Sequence, residues 1–178
     1  MTSKAELENK LLLELEALEN LLDRQPSSLF ATHIIPGKWS TGQHIHHLLL
    51  STKLFHKALC LPRLFLKYKF GTNNRKERTF EDLKTRYKTE LSQSTVKPPK
   101  SFQPREIRDK DKEQLIAQFR KASLKLNKNF KRWKEKDLGH YILPHPLLGM
   151  LTIREMFYFT IIHMEHHRHI LEKRYITG

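Results

Sequence analysis

The chain has a single cysteine, Cys60, among its 178 residues. One thiol excludes both an intramolecular disulfide and a thiolate zinc cluster, so a metal site in this chain has to use histidine or carboxylate ligands. Long apolar runs are also lacking, since runs such as residues 48–50 fall far short of the roughly 20 residues that span a bilayer. The sequence therefore predicts no membrane partner.

The N-terminal residues lack the features of a secretory signal. They read M-T-S-K-A-E-L-E-N-K, in which charged and apolar residues alternate and no small-residue cleavage site follows. The lone cysteine fits a reducing compartment, and the expected location is the cytoplasm. A chain of this length can bury most of its apolar surface around one core, so a single domain over residues 1–178 is expected.

Acidic residues are too few to balance the basic ones, and the net charge is +14. The excess lies between residues 62 and 136, which hold 23 Lys/Arg and 9 Asp/Glu, whereas the remainder holds 10 of each. This basic middle is a solvated helix face, a surface for a phosphate-rich partner, or a rim that steers an acidic thiol cofactor. The first interpretation is favoured, and nucleic acid is not the expected partner, because aromatic residues are not interleaved for base stacking.

Apolar residues recur at helical spacing in four segments that are long enough for a bundle. Capping boxes mark the starts of three of them, and proline residues mark two of the ends. The predicted helices cover approximately residues 4–24, 41–61, 111–136 and 152–175. The sequence predicts an all-α fold, a four-helix bundle.

Glycine and proline interrupt the basic connection at about 62–110, which is predicted to be partly irregular. A short helix near 79–91 is plausible within it, and no convincing strand pattern is found outside short pieces of this segment. A long crossover connection between helices two and three lets consecutive helices run in the same direction.

Two histidines near the C-terminus lie one helical turn apart. The segment H-M-E-H-H-R-H places His163 and His167 at i and i+4, the spacing with which H-x-x-x-H pairs hold zinc. The same face carries Met156, so the pair is expected to face the core, either as metal ligands or as hydrogen-bonded interior histidines. His166 and His169 fall on the flank or solvent side.

A second histidine cluster, W-S-T-G-Q-H-I-H-H-L at 39–48, offers a third ligand. On a helical wheel His47 is predicted at the centre of the inward face, on the same side as Leu54 and Leu61. His44 lies on that side one turn earlier and is a competing ligand. Two others point away from it: His46 and His56. Three protein ligands and one open position describe a catalytic metal site.

The cluster at 39–48 resembles the W-S-x-x-E/Q-x-I-x-H-L signature of the DinB/YfiT-like superfamily of metal-binding four-helix bundles. H-P-L-L-G-M-L-T at 145–152 is similar to that superfamily's H-P-x-x-G-x-L-T entry to the last helix, and the C-terminal pair to its H-x-x-x-H. The order and separation of the motifs match over nearly the whole chain. The metal triad that the resemblance implies is His47, His163 and His167, with His44 as the fallback ligand.

The resemblance also implies a chemistry. An all-histidine site suits one divalent metal, Zn²⁺ before Ni²⁺, Co²⁺, Mn²⁺ or Fe²⁺. Some members of the superfamily transfer low-molecular-weight thiols such as bacillithiol to electrophiles, and related members use mycothiol or glutathione. A metal-dependent thiol S-transferase that acts on a small-molecule electrophile is therefore expected. A metal-dependent hydrolase and a non-catalytic scaffold whose basic middle binds nucleic acid are the alternatives, and a homodimer is an assembly that the sequence allows.

Four further residues lie in or near these motifs. Two of them could act at the site or only in the local structure, and the other two are not assigned to the site. Gln43 either orients a metal-ligating histidine or caps its helix. His145 either reaches the mouth of the site or shapes the turn before the last helix. Trp39 is predicted to be a packing anchor, and Glu165 points away from the histidine pair and is not assigned as a general base.

Overall fold

The computed structural model of the chain describes residues 2–95 and 99–175; residues 96–98 of the predicted connection lie outside this part, as do the two chain ends. The described residues form seven α-helices and one β-hairpin. In chain order these are α1 (Lys4–Arg24), α2 (Thr41–Leu59), α3 (Arg63–Phe70), α4 (Phe80–Gln93), α5 (Lys112–Lys131), α6 (Glu135–Leu138), β1 (Ile142–His145), β2 (Gly149–Thr152) and α7 (Ile153–Tyr175).

Four of these helices form a bundle in which α1 and α2 each pack against α5 and α7. Contacts at both ends show that α2 and α5 run in the same direction. At one end the Asn129 amide donates to Cys60 Sγ. At the other end Gln25 contacts both Thr41 and Lys112. The prediction of an all-α four-helix bundle with a long crossover between its second and third helices is confirmed.

The first bundle helix has the predicted bounds because local signals at both ends agree. The hydroxyl of Ser3 accepts from the Glu6 N–H, and the Glu6 carboxylate accepts from the Ser3 N–H at 2.7 Å, which completes a capping box. Gln25 then leaves the helical region ahead of Pro26. The leucines that recur at helical spacing are buried: Leu7, Leu11, Leu15, Leu18 and Leu22.

The third bundle helix, α5, ends at Lys131, five residues before the predicted end at 136. The chain turns at Trp133, which is 4% exposed. Its ring packs under the Arg63 guanidinium at 4.8 Å and against the Tyr141 ring at 5.9 Å. Tertiary packing of Trp133 therefore ends the helix, and the sequence pattern contains neither glycine nor proline at this point to mark the stop.

A β-hairpin precedes α7, so the absence of strands outside the connection was a wrong prediction. Strands β1 and β2 are antiparallel and pair Leu143 with Leu151. Both leucines are buried, and the three-residue loop ends at Gly149, whose φ of +72° suits glycine. The alternation of apolar and polar residues that marks a strand is hard to recognise here, because each strand has only four residues and Pro144 interrupts the first.

The buried face of α2 is not centred on His47, and that prediction was also wrong. Leu54 is 49% exposed and Leu61 38% exposed, although both lie near His47 on the wheel. The buried side chains that face the core instead run along a stripe about 100° farther round the helix: Leu48, Thr52, Phe55 and Leu59. His47 lies at the edge of this stripe and is buried because the turn Lys100–Phe102 packs over α2.

The described part of the connection contains two α-helices. The short helix near 79–91 is confirmed as α4, which packs against α7. The other helix, α3, was not predicted; it begins after Pro62 and ends at Gly71, whose φ is +82°. Among the described residues, none of the helices combines the length and apolar character that crossing a bilayer requires.

Candidate metal centre

Three buried imidazoles converge where α2 packs against α7. The Nε2 atom of His163 lies 3.1 Å from Nε2 of His47 and 3.0 Å from Nε2 of His167. In a tetrahedral zinc site with Zn–N bonds of about 2.0–2.1 Å, ligand nitrogens lie about 3.3 Å apart. The side chains of these three residues could therefore hold one metal ion, and their ligand atoms all lie within 4.8 Å of one another.

Local structure places each histidine. On α7 the i and i+4 spacing puts His163 and His167 on one face, and both are at most 7% exposed. On α2 the capping box fixes the start of the helix: the Gln43 N–H donates to Ser40 Oγ, and the Ser40 N–H donates to Gln43 Oε1. The Gln43 amide also donates to Glu106 at 3.4 Å, so its contacts are those of a helix cap.

The ring of His47 is oriented by the backbone of the connection. Its Nδ1 lies 2.6 Å from the carbonyl oxygen of Phe102. Because a carbonyl oxygen can only accept, Nδ1 carries the proton in the neutral ring, and Nε2 has a free lone pair. A backbone carbonyl that fixes the tautomer of a histidine in this way is a common feature of metal sites.

His44 lies behind the cluster. Its Nδ1 is 2.8 Å from Nδ1 of His167, on the side opposite the converging Nε2 atoms. The guanidinium of Arg174 reaches His44 Nε2 at 3.3 Å. Because a guanidinium can only donate, His44 Nε2 accepts in this contact and the His44 Nδ1–H donates to His167 Nδ1. A lone pair on His167 Nε2 requires the reversed tautomers, in which the His167 Nδ1–H donates to His44 Nδ1 and the Arg174 contact to His44 is given up. His44 thus contacts the nitrogen of His167 that does not face His163, and its own Nε2 faces Arg174.

Comparisons with known proteins agree with the sequence motifs. The chain matches the sequence model of the DinB superfamily over residues 10–171. The chain belongs to the DinB superfamily. Among solved structures it is similar to the crystal structure of TT2238, a four-helix bundle protein, with 16% identity and a TM-score of 0.61 over 96% of this chain and 99% of that one. That likeness shows the fold alone. None of the curated proteins compared with the chain matches it.

In this DinB chain, burial favours the neutral form of the four clustered histidines His44, His47, His163 and His167. Burial lowers the pKa of His47, although the hydrogen bond to the Phe102 carbonyl opposes the shift. Burial lowers the pKa values of His163 and His167 well below 6.5, and neighbouring histidines lower them further. Burial and then Arg174 lower the pKa of His44 to about 3. Neutral imidazole is the form that binds a metal.

Aromatic side chains surround the three imidazoles. Trp39 is half-buried and packs on the rings of His47 at 5.0 Å and His167 at 6.5 Å. Phe159 stacks on His163 at 4.9 Å. Tyr87, from α4, lies 6.3 Å from the His163 ring. These groups give the DinB chain an apolar wall around its most polar cluster, which strengthens electrostatic interactions inside it.

His145 shapes the hairpin and also touches this wall. Its Nδ1 accepts hydrogen bonds from the backbone N–H groups of Leu147 and Leu148 at 3.2 and 3.0 Å. Its ring lies 4.1 Å from that of Phe159, which in turn stacks on His163. The contacts with Leu147 and Leu148 fit the interpretation that His145 shapes the turn, and the ring of Phe159 lies between the rings of His145 and His163.

The remaining histidines of the two clusters stay outside the converging group. His46 accepts from the Arg105 N–H at 3.3 Å, and His166 contacts the Tyr87 ring at 5.6 Å. His169 is exposed and His56 half-buried. Glu165 pairs with Lys84 at 2.7 Å, away from the site.

We expect the metal-free DinB protein to lose stability as the pH falls below 6.5. The pKa of His44 is about 3 and that of His145 about 4 in the folded chain, because removal from water disfavours the charged form of each ring, against 6.5 when unfolded. The unfolded chain therefore takes up protons first, and the stabilisation is complete above pH 6.5 and lost as the pH falls towards 4 and 3. Each such histidine contributes up to about 1.4 kcal/mol per pH unit.

Urea denaturation at a series of pH values between about 7 and 5 measures this slope. Replacing His44 by asparagine should reduce the slope, whereas replacing the exposed His169 should leave it unchanged. A free energy of unfolding that stays constant over this range would contradict the prediction.

Several groups around the site were not predicted from the sequence. Phe159 precedes His163 by four residues and shares its face, so the helical wheel could have identified it. The carbonyl of Phe102 is a backbone group, so the identity of this residue in the sequence does not indicate its contact with His47. Tyr87 and Arg174 reach the cluster through the packing of α4 and the end of α7, which periodicity does not describe.

Proposed function

We propose that this DinB-superfamily protein binds one divalent metal through His47, His163 and His167 and uses it to transfer a low-molecular-weight thiol to a small electrophile. The observation that carries the proposal is a buried, neutral cluster in which His163 Nε2 lies 3.1 Å from Nε2 of His47 and 3.0 Å from Nε2 of His167, with the ligand atoms of all three within 4.8 Å of one another. A metal there would supply Lewis-acid chemistry that lowers the pKa of a thiol or of water.

The chain's own residues support such a site in two ways. The carbonyl of Phe102 accepts from the Nδ1–H of His47, which leaves the Nε2 lone pair of His47 facing the cluster, and the ring of His44 holds the ring of His167 through its Nδ1. Three neutral ligands leave the full charge of a divalent ion uncompensated. An anionic ligand such as a thiolate is therefore favoured at the remaining position.

Arg174 supports the choice of an acidic thiol such as bacillithiol. It is half-buried and reaches the Trp39 carbonyl and His44 beside the cluster. In residues 2–95 and 99–175, no carboxylate pairs with it, so its charge is available to a carboxylate of the co-substrate. The three histidines are only 5–7% exposed, and the half-buried Trp39 and the turn at Phe102 lie against them on the side of α2.

The metal-loaded protein is expected to accelerate conjugation of bacillithiol with monochlorobimane. The sulfur forms a bond to the chloromethyl carbon, chloride leaves with the electrons of the carbon–chlorine bond, and the thiol proton passes to solvent. Fluorescence of the conjugate reports the rate. His163→Ala protein should be no faster than buffer, and His169→Ala protein should match the unmodified chain, because His169 is exposed outside the cluster.

Other outcomes would support the alternatives. Hydrolysis of an ester or amide without any thiol would favour a metal-dependent hydrolase. Nucleic-acid binding that falls steeply with salt and is unaffected by His163→Ala would favour a scaffold that uses its basic middle. Equal conjugation rates with and without the protein would reject the thiol-transfer proposal.

A further inference from the structure

Helix α3 presents apolar side chains to solvent. Leu64 is 80% exposed and Tyr68 is 92% exposed, while Phe65 and Leu61 are 42% and 38% exposed. The only buried residue of this helix is Leu66. At about 100° per residue, Leu64 and Tyr68 lie within about 20° of the direction opposite Leu66. We call the four exposed residues at 61, 64, 65 and 68 the α3 patch.

Basic residues flank the α3 patch on both sides. On the wheel Lys67 lies on one side of Leu64 and Tyr68, and Lys69 lies beyond Phe65 on the other. The Lys69 amine is 5.5 Å from the Phe65 ring. Residues 61–76 contain no acidic side chain. The helix is therefore amphipathic with its apolar face outward and its positive charges at the edges.

A neighbouring segment adds to this charge. The Arg63 guanidinium pairs with Asp137 at 2.9 Å and lies over the Trp133 ring, which places α3 beside the junction of α5 and α6. That junction carries two exposed lysines, Lys134 and Lys136. The two acids of this junction, Glu135 and Asp137, are paired with Arg154 and Arg63, so the positive charge of Lys134 and Lys136 remains beside the α3 patch.

We propose that the α3 patch docks on an anionic lipid surface. An outward apolar face with aromatic and leucine side chains, bordered by lysines, inserts into the boundary between headgroups and acyl chains while the lysines contact anionic headgroups. The sequence predicted no membrane partner because no segment can span a bilayer. Peripheral docking needs no spanning segment.

Two other occupants fit the α3 patch less well. Its four side chains offer a few hundred Å², whereas a stable dimer interface buries about 800 Å² on each partner, and a symmetric dimer would bring the lysines of both copies together. A single-stranded nucleic acid would contact the lysines and Tyr68, but the leucines give it neither a hydrogen bond nor a stacking surface.

Cosedimentation of the full chain with large unilamellar vesicles tests this proposal. Binding is expected to mixed phosphatidylcholine–phosphatidylserine vesicles, to be weak with phosphatidylcholine alone, and to fall as salt rises. The double variant Leu64→Ser, Tyr68→Ser should bind at least about tenfold more weakly because two apolar side chains no longer insert. The double variant Leu12→Ser, Leu13→Ser is the matched control, since those leucines are exposed on α1.

Charge provides the second comparison. Lys67→Glu with Lys69→Glu should lower vesicle binding at least about tenfold, and Lys121→Glu with Lys125→Glu on α5 should lower it much less. Equal losses from both pairs would mean adsorption of a basic protein and would overturn the proposal. So would the absence of vesicle binding. A dimer in sedimentation velocity, or binding of a single-stranded oligonucleotide, that is lost with Leu64→Ser and Tyr68→Ser would assign the α3 patch to that partner instead.

Discussion

Replacing His163 by alanine is expected to abolish stoichiometric metal binding. His163 is the central residue of the cluster, since its Nε2 contacts the Nε2 atoms of both His47 and His167. Loss of a group that only orients a ligand lowers metal affinity about 10–100-fold, and loss of one ligand out of three should exceed this. Elemental analysis of protein prepared without a metal-affinity tag, after dialysis against buffer, measures the bound metal.

Two variants separate the ligands from their neighbours. His169→Ala should retain one metal per chain, because this histidine is exposed on the same helix. His44→Ala should retain metal with reduced affinity, because His44 meets His167 at Nδ1 and not at the Nε2 atom that faces His163. Full metal retention in His163→Ala protein would reject the triad, and a complete loss in His44→Ala with none in His47→Ala would make His44 the ligand.

Much of the site was predictable because it depends on helical periodicity. The i and i+4 pair on α7 follows from the sequence alone, and the neighbours predicted to share its face are buried in the structure, including Met156. His47 was identified for a reason that the structure does not support, since it lies at the edge of the buried face of α2. The Phe102 turn that covers it comes from 55 residues farther along the chain.

In the fold, too, the features set by local contacts were predicted, and those set by packing between distant segments were not. Helix bounds were predicted well where a capping box marks the start, as at Ser3 and Ser40, because a cap is a local contact. The hairpin, the early end of α5 at Trp133 and the outward face of α3 depend on what lies beside each segment. Hydrophobic patterns record the burial of a segment but not the element that buries it.

One buried carboxylate joins the connection to α7, and its loss should be strongly destabilising. Glu155 is fully buried, and its two oxygens accept from the Arg75 guanidinium at 2.7 and 2.6 Å. They also accept from the backbone N–H groups of Arg78 and Thr152. The predicted capping box at Thr152 is thus confirmed, while the two arginines are partners that no local pattern indicates.

Glu155→Ala should lower the free energy of unfolding by about 3–5 kcal/mol, because two guanidinium groups then lose the charge that neutralises them. Burial raises the pKa of Glu155, but its hydrogen bonds outweigh this effect and the pKa lies below 4.5. The interaction is therefore complete above pH 4.5 and is lost as the pH falls through the folded pKa. Urea denaturation at pH 7 measures the stability.

Glu90→Ala is the matched control, since Glu90 pairs with Arg86 one turn away on the surface of α4 at 3.6 Å. Exposed pairs at this spacing contribute about 0.3–0.5 kcal/mol.

Glu155 lies two turns before His163 on α7, so the network also fixes the connection against the helix that carries two of the three histidines. If Glu155→Ala costs no more than Glu90→Ala, the buried network does not hold the connection in place.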